Sequence, residues 1–390
     1  MDGSSLQDLV DEVSRLLGAP TTLEDRSFHL LAYGSQPSTV DVVRQTSILQ
    51  RESSGSTRAW FEQFGISSSE GPVRIPADEE RGIGARLCLP ARSGDVTQGY
   101  LWLLDEDGSA SDDDLRRAMG LADRAGRLLA RSARDQRARE DRLVDLYGDD
   151  RAAAASAAAG LLEAGLVRHG DGVVVVALRS VNGGDVEREP LALRAGTLPP
   201  SVLVAPVRGH TTLLVPVRHG ASTEDAVLGV RGLLRALLID FPGAVAGVGG
   251  PARDLADAHQ SWAEARLAAR VAASLPSRGP VAEWSALGAY RLLGVAPEPV
   301  LAAAVLDPSV RSLLEQPDAV LADTARCYLE HAGSVQATAA ALSVHRQTLY
   351  YRLQRIERVT GLDLGRGEDR LRLHLGLLLG PVLGVETAPQ

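Results

Sequence analysis

Residues Gly333 to Gly361 read GSVQATAAALSVHRQTLYYRLQRIERVTG. Ser334 suits a helix N-cap, and Val335, Thr338, Ala339 and Leu342 recur at the three- and four-residue steps of a one-sided helix. Ser343 and Val344 interrupt this short helix. In the run that follows, Leu349, Leu353, Ile356 and Val359 form one apolar stripe, so a second helix is expected to pack along it. Two helices joined by so few residues, with small Ala339 where they cross, have the spacing of a helix-turn-helix.

The rest of the second helix carries His345, Arg346, Gln347, Thr348, Tyr351, Arg352, Arg355 and Arg358, opposed in charge only by Glu357. A major groove admits one helix. Bases there are read by Arg forking onto guanine or Gln onto adenine, while hydroxyls and further Arg hold phosphates. Because the N-terminal end of such a helix faces the base edges, Arg346 and Gln347 are assigned to bases. Thr348, Tyr351, Arg352 and Arg355 are assigned mainly to the backbone, with His345 at the entry. The competing reading is a solvated Arg-rich helix on a bundle.

The run TAAALSVHRQTLYYRLQRIERVTGLDL closely resembles the C-terminal helix-turn-helix of the PucR/CdaR family of bacterial transcription regulators. Thr338, Ala339, Leu342, Val344, His345, Thr348, Leu349, Tyr351, Arg352, Leu353, Arg355 and Ile356 match that family's pattern. Asn is common in the family where this chain has Gln347, so the base preference of that contact is not carried over. The resemblance implies a double-stranded DNA operator as partner.

At 390 residues the chain has room for two or three domains, and 45% hydrophobic content is ordinary for globular proteins. The net charge of -9 excludes a protein that coats nucleic acid over its whole surface, so any DNA contact must be local. All 41 basic residues are Arg. The absence of Lys excludes P-loop nucleotide hydrolysis and pyridoxal-phosphate chemistry, each of which needs one. Cys88 and Cys327 stand far apart without nearby Cys or His spacing, which suggests buried thiols and neither a disulfide nor a metal site. No cofactor is expected. The acidic start MDGSSLQD and the short apolar runs give no leader or membrane span, so a cytoplasmic location away from membranes is expected.

Along the chain, residues 1–110 read as an α+β sensory domain. A helix is expected over Leu6 to Leu17, ended by Gly18. Apolar runs around Thr21 to Leu23 and Phe28 to Tyr33 flank a turn, and ARLCLPA and TQGYLWLL form a second hairpin. This layout resembles a GAF-like small-molecule sensor. Its aromatic residues either line a pocket or simply form the core. A ligand set would comprise Tyr33, Trp60, Tyr100 and Trp102, with Arg86 anchoring an acidic effector. Residues 111–147 read as a connecting helix capped by SDDD, apolar at both ends and Arg-rich in the middle. It serves either as a signalling and dimer contact or as a plain interdomain helix.

Residues 148–278 read as a second α+β domain. An Ala-rich helix from Arg151 precedes VVVVAL, a run apt for a central strand, then strands near Ser201 to Pro206 and Thr211 to Val217, a helix Thr223 to Ile239, and AVAGVGG. The stretch Gly247 to Ala272 resembles the end of the degenerate GGDEF-like domain of CdaR-type regulators, and Gly247, Gly249 and Gly250 read as a strand-to-helix turn. NGGDVE at Asn182 to Glu187 mimics a diguanylate cyclase signature. It follows the first strand at once, where the signature does not belong, and that strand lacks the carboxylate a two-metal site needs. Residues 279–320 read as linker helices and 321–385 as the all-α helix-turn-helix domain. The whole describes a ligand-responsive, non-enzymatic transcription regulator acting as a homodimer or higher homo-oligomer. The alternatives are a helix-turn-helix that binds a partner protein and a cyclic-dinucleotide enzyme.

Overall fold

A computed structural model describes residues 5–34, 55–105, 108, 110–181, 191, 193, 198–317 and 319–384. The chain divides into two compact units, 1–138 and 139–390.

In the first unit, α1 (Leu6–Leu17) begins at a capping box formed by Ser5 and Asp8 and stops at Gly18, whose φ of 64° is left-handed. Strands β1 (Thr21–Asp25) and β2 (Leu30–Tyr33) form a hairpin. The Phe28 to Tyr33 run thus splits: Phe28 lies in the turn at φ 65° while its ring is fully buried. After α2 (Gly55–Glu62) come β3 (Val73–Ile75), β4 (Arg86–Ser93) and β5 (Val96–Leu104), giving an antiparallel sheet of order β2-β1-β5-β4-β3. Side chains alternate along these strands. Leu87, Leu89, Leu101 and Leu103 face one apolar layer with Leu9, Val13, Leu115 and Ala122, while Cys88, Tyr100 and Trp102 face another with Phe28 and Phe61.

Helix α3 (Asp112–Leu146) starts with three acids that complement its dipole. Leu115, Ala118, Ala122 and Ala125 are buried in the first unit, and residues 131–139 are exposed on every side. At Gly126 a Cβ would stand 2.2 Å from the Arg92 carbonyl oxygen, so only glycine permits that crossing.

In the second unit, Leu143, Leu146 and Tyr147 join a core with α4 (Arg151–Glu163), which Asp150 caps. Strands β6 (Gly172–Ser180), β7 (Leu203–Val207) and β8 (His210–Val217) precede α5 (Thr223–Asp240), β9 (Ala244–Val248), α6 (Ala258–Ser274) and β10 (Val281–Glu283). The sheet order is β10-β9-β6-β8-β7, antiparallel except for the β9–β10 pair. VVVVAL is apolar throughout because β6 is covered on both faces: Val173 and Val175 pack with Trp262 and Leu161, whereas Val174, Val176 and Leu178 pack with Val230, Leu234 and Leu237.

The glycines after Ala244 serve close packing more than turning. A Cβ on Gly247 would lie 2.0 Å from the Ala265 carbonyl oxygen, and one on Gly249 would lie 2.0 Å from that of Ser261. The sheet therefore touches α6 backbone to backbone, with Ala177, Ala265 and Ala269 filling the seam. Ser261 Oγ accepts the Val175 N–H at 3.0 Å there. The stretch 279–320, expected as helices alone, opens with β10. It continues through α7 (Glu298–Val305) and α8 (Pro308–Leu314).

The C-terminal stretch from Val320 is helical: α9 (Val320–Glu330), α10 (Val335–Ala341), α11 (Arg346–Thr360) and α12 (Gly367–Leu379). Its core joins Leu321, Ala325, Leu349, Ile356, Leu373 and Leu377 with Val271 of α6 and Leu287. Cys88 is fully buried as expected, but Cys327 is only partly so. NGGDVE and residues 387–390 lie outside the described residues.

Gly247→Ala should destabilise the second unit by about 3 kcal/mol, the top of the usual overpacking range, because backbone rather than a flexible side chain must yield. Urea unfolding should show a lower midpoint, whereas Gly229→Ala on α5, where a Cβ meets nothing within 4 Å, should not lower it.

Candidate nucleic-acid interface

Helix α10 begins at Ser334, whose Oγ accepts the Ala337 N–H at 3.3 Å, and is pinned by buried Thr338, which donates to the Ser334 carbonyl at 2.7 Å. Ser343 turns the chain at φ 54°. Helix α11 is then capped by His345, whose Nδ1 accepts the Gln347 N–H at 3.3 Å. Gly361 closes it at φ 69°, donating to the Glu357 carbonyl.

Leu349, Leu353, Ile356 and Thr360 are the buried side of α11. Val359, expected in that stripe, is only partly buried, and Thr360 takes the inner position by donating to the Ile356 carbonyl at 2.8 Å. At about 100° per residue the opposite side centres on Gln347, Tyr351, Gln354 and Arg358, with Arg355 and Thr348 on one flank and Tyr350 and Arg346 on the other. All eight are exposed. The sequence pattern had not singled out Gln354 or Tyr350, the latter 55% exposed. Only the helical wheel, used for the polar positions as well as the apolar ones, could have flagged them.

The structure puts Arg352 apart from this group. It is half-buried, and Nη1 donates to Thr324 Oγ1 of α9 at 3.3 Å, while Thr324 donates to the Val320 carbonyl at 2.6 Å. Glu357 likewise turns away from the exposed arginines: Oε1 accepts the Leu364 N–H at 2.9 Å. Arg346, Arg355 and Arg358 have no carboxylate partner among the described residues. Elsewhere in the same module Arg326 pairs with Asp323, Arg366 with Asp369 and Arg372 with Asp307.

Of the five residues read as a ligand set in the first unit, Trp60, Arg86, Tyr100 and Trp102 come together as packed core and Tyr33 stands apart. Tyr100, Trp102 and Arg86 are 4%, 2% and 5% exposed, and Tyr33 is 48% exposed on β2, outside their cluster. Phe28, Phe61, Tyr100 and Trp102 pack ring against ring at 4.6–6.4 Å, with the Arg86 guanidinium 5.3 Å from the Phe61 centroid and Trp60 at the edge. Trp102 Nε1 donates to buried Glu24 at 2.9 Å. Burial pushes the Tyr100 hydroxyl up to about 12. These residues form a filled core layer.

In the second unit the β7–β8 turn carries Arg208, at φ 46°, and Gly209, with no carboxylate. The Arg208 and Arg266 guanidinia lie 5.3 and 4.6 Å from the Trp262 centroid. No group of three or more His, Cys, Asp or Glu suited to a metal occurs among the described residues.

This geometry defines a helix-turn-helix module behind a mixed α/β domain. Residues 321–379 match the PucR C-terminal helix-turn-helix domain, and residues 147–271 match the GGDEF-like domain. The chain thus carries the domain pair of PucR/CdaR-type transcription regulators. It is 21% identical to the DNA-binding transcriptional activator AdeR of Bacillus subtilis, covering 96% of this chain and 92% of that protein. To the proline-responsive transcriptional activator PutR of the same organism it is 22% identical, over 96% of each. The carbohydrate diacid regulator of Escherichia coli is 47% identical over 60 residues, 15% of this chain and 16% of that one. A solved regulator of polyketide synthase expression from Bifidobacterium adolescentis aligns over 63% of this chain and 98% of its own at 18% identity. Its TM-score of 0.26 is too low to bear on the fold.

The module is clamped at Asp307, which caps α8 by accepting the Ser309 and Val310 N–H groups at 2.8 and 3.2 Å and pairs with Arg372 of α12. Burial raises this carboxyl's pKa, but Arg372 and the two N–H groups together outweigh it and hold the value below the ordinary one. Asp307→Ala should cost about 1–2 kcal/mol at neutral pH. Because the folded-state pKa is depressed, this contribution is complete above the unfolded value of about 3.9 and fades as pH falls through the lowered one. Urea midpoints of wild type and variant should therefore differ at pH 7 and converge in acid.

Proposed function

We propose that the protein is a sequence-specific, DNA-binding transcription regulator that reads the major groove with α11. The observation that carries the reading is that Arg346, Arg355 and Arg358, spread around the exposed side of α11, lack carboxylate partners among the described residues, on a chain of net charge -9. Leaving guanidinium groups unpaired on the exposed side of one helix, while others in the module are paired, suits phosphate and base-edge recognition. Arg346 and Gln347 take base edges. Thr348, Tyr351 and Arg355 hold backbone, His345 fixes the helix entry, and Arg352 serves mainly as a positioning residue through Thr324.

The first unit acts as a GAF-like sensor in this reading, and the chain works in the cytoplasm as a homodimer or higher oligomer on an operator with two-fold symmetry. That one relative, PutR, is a proline-responsive activator supports ligand response. An effector that prefers one arrangement of the chain shifts operator affinity by its difference in affinity for the two. Helix α3, exposed on all sides over 131–139, is the segment through which such a shift passes.

Fluorescence anisotropy with DNA from upstream of the gene, against scrambled DNA and over a salt series, tests the reading. Arg346→Ala should cost about 1–3 kcal/mol on operator DNA and relax discrimination at one position per half-site. Arg355→Ala should weaken all sequences alike and reduce the salt slope by about one per site. Binding that ignores sequence and both substitutions would overturn the face assignment.

A further inference from the structure

A groove of about 760 Å³ lies in the second unit between α5 and the segment 278–287 that contains β10. Its volume falls in the range of small-molecule sites. Leu234 and Leu238 of α5, Val271 of α6 and Val281 of β10 supply apolar wall, and Ile239 and Ala286 stand exposed at its rim. Ile239 is 80% exposed, unusual for so large an aliphatic side chain on a helix whose other face is fully packed.

Four charged side chains line the groove. Arg231 and Glu283 neutralise each other through a two-point pair, Nη2 to Oε2 at 2.8 Å and Nε to Oε1. Arg235 has no carboxylate partner among the described residues. Arg278 has none either; its guanidinium lies over the Tyr290 ring at 5.1 Å from the centroid. The lining therefore carries two uncompensated positive charges beside apolar wall, in a protein that is acidic overall.

We propose that this groove binds a small organic acid, its apolar body against Leu234, Leu238 and Val281 and its carboxylate on Arg235 and Arg278. A guanidinium beside apolar surface favours a carboxylate with an attached hydrocarbon over either part alone. The site also meets the DNA-binding module, because Val271 and Leu287 line the groove and belong to the core that buries Leu349 and Ile356. An occupant thus touches two side chains of the core cluster that also holds the buried side of α11.

Isothermal titration calorimetry of the full chain, without DNA, with 4-phenylbutanoate and with 4-phenylbutan-1-ol as probes, tests the proposal independently of the operator reading. The acid should bind and the alcohol should bind about tenfold more weakly, one lost charge-assisted contact. Arg235→Ala should reduce that preference and Arg235→Ala with Arg278→Ala should remove it, both leaving the alcohol unchanged, and Ala286→Trp should abolish binding of both probes by filling the rim. All three positions are exposed, and circular dichroism verifies that the variants stay folded. Absence of binding by the acid, equal binding of acid and alcohol, or an acid affinity that survives these substitutions would each overturn the site.

Discussion

The burial of one side of α11 is the constraint on which the C-terminal half depends. A helix of this length presents about a third of its surface to a core, and here Leu349, Leu353, Ile356 and Thr360 occupy that third. Their positions fix the rotation of the helix, and the rotation alone sends Gln347, Tyr351, Gln354 and Arg358 outward. Thr324 then holds Arg352 at the boundary, and Glu357 is engaged by the Leu364 N–H. The exposed face is left without an acid of its own. Because guanidinium does not deprotonate in proteins, that face stays positive across the pH range in which the fold persists.

The same core reaches back to the second sheet through α6. One side of that helix is small, Ser261, Ala265 and Ala269, and meets Gly247 of β9 and Gly249 just after it at backbone distance. Further along, Ala268 and Val271 enter the core of the C-terminal helices, and Arg270 donates to the Val382 carbonyl at 2.7 Å and pairs with Glu298 at 2.8 Å. Close packing transmits displacement because neither partner has space to absorb it. A shift of α6 against the sheet is therefore felt in the core of the C-terminal helices.

How much of this was legible in the sequence depends on where each signal resides. Helix 6–17 was readable from its apolar spacing and its stop at Gly18, and a helix from Arg151 from its Ala content, whereas the caps Ser5 and Asp150 came only with the structure. VVVVAL was readable as a central strand from its unbroken β-branched run. Phe28 was misplaced since its left-handed turn is imposed by the aromatic cluster into which its ring packs, and a three-residue edge strand at Val281–Glu283 is defined only by its partner β9. On α11 the sequence conveyed the type of chemistry, but not that Arg352 finds Thr324, twenty-eight positions earlier, or that Gln354 and Tyr350 share the exposed face. Composition tells which side chains a helix owns; which of them remain free is a tertiary property.

The aromatic layer of the first unit and the groove of the second differ in what occupation by a ligand costs. In the first unit an entering molecule must part rings already in contact at 4.6–6.4 Å, among them Trp102 with its Glu24 hydrogen bond, and the aromatic packing and buried area lost must be replaced before any affinity appears. In the second unit the space between α5 and β10 is already open, Ile239 is already in water, and the Arg231–Glu283 pair already braces the wall. Preorganisation favours the second place for the same ligand chemistry, since the main opposing cost there is desolvation of the Arg235 and Arg278 guanidinium groups. Aromatic density in a sequence marks where a domain concentrates its core energy, and a core so filled is a poor receptor unless it opens.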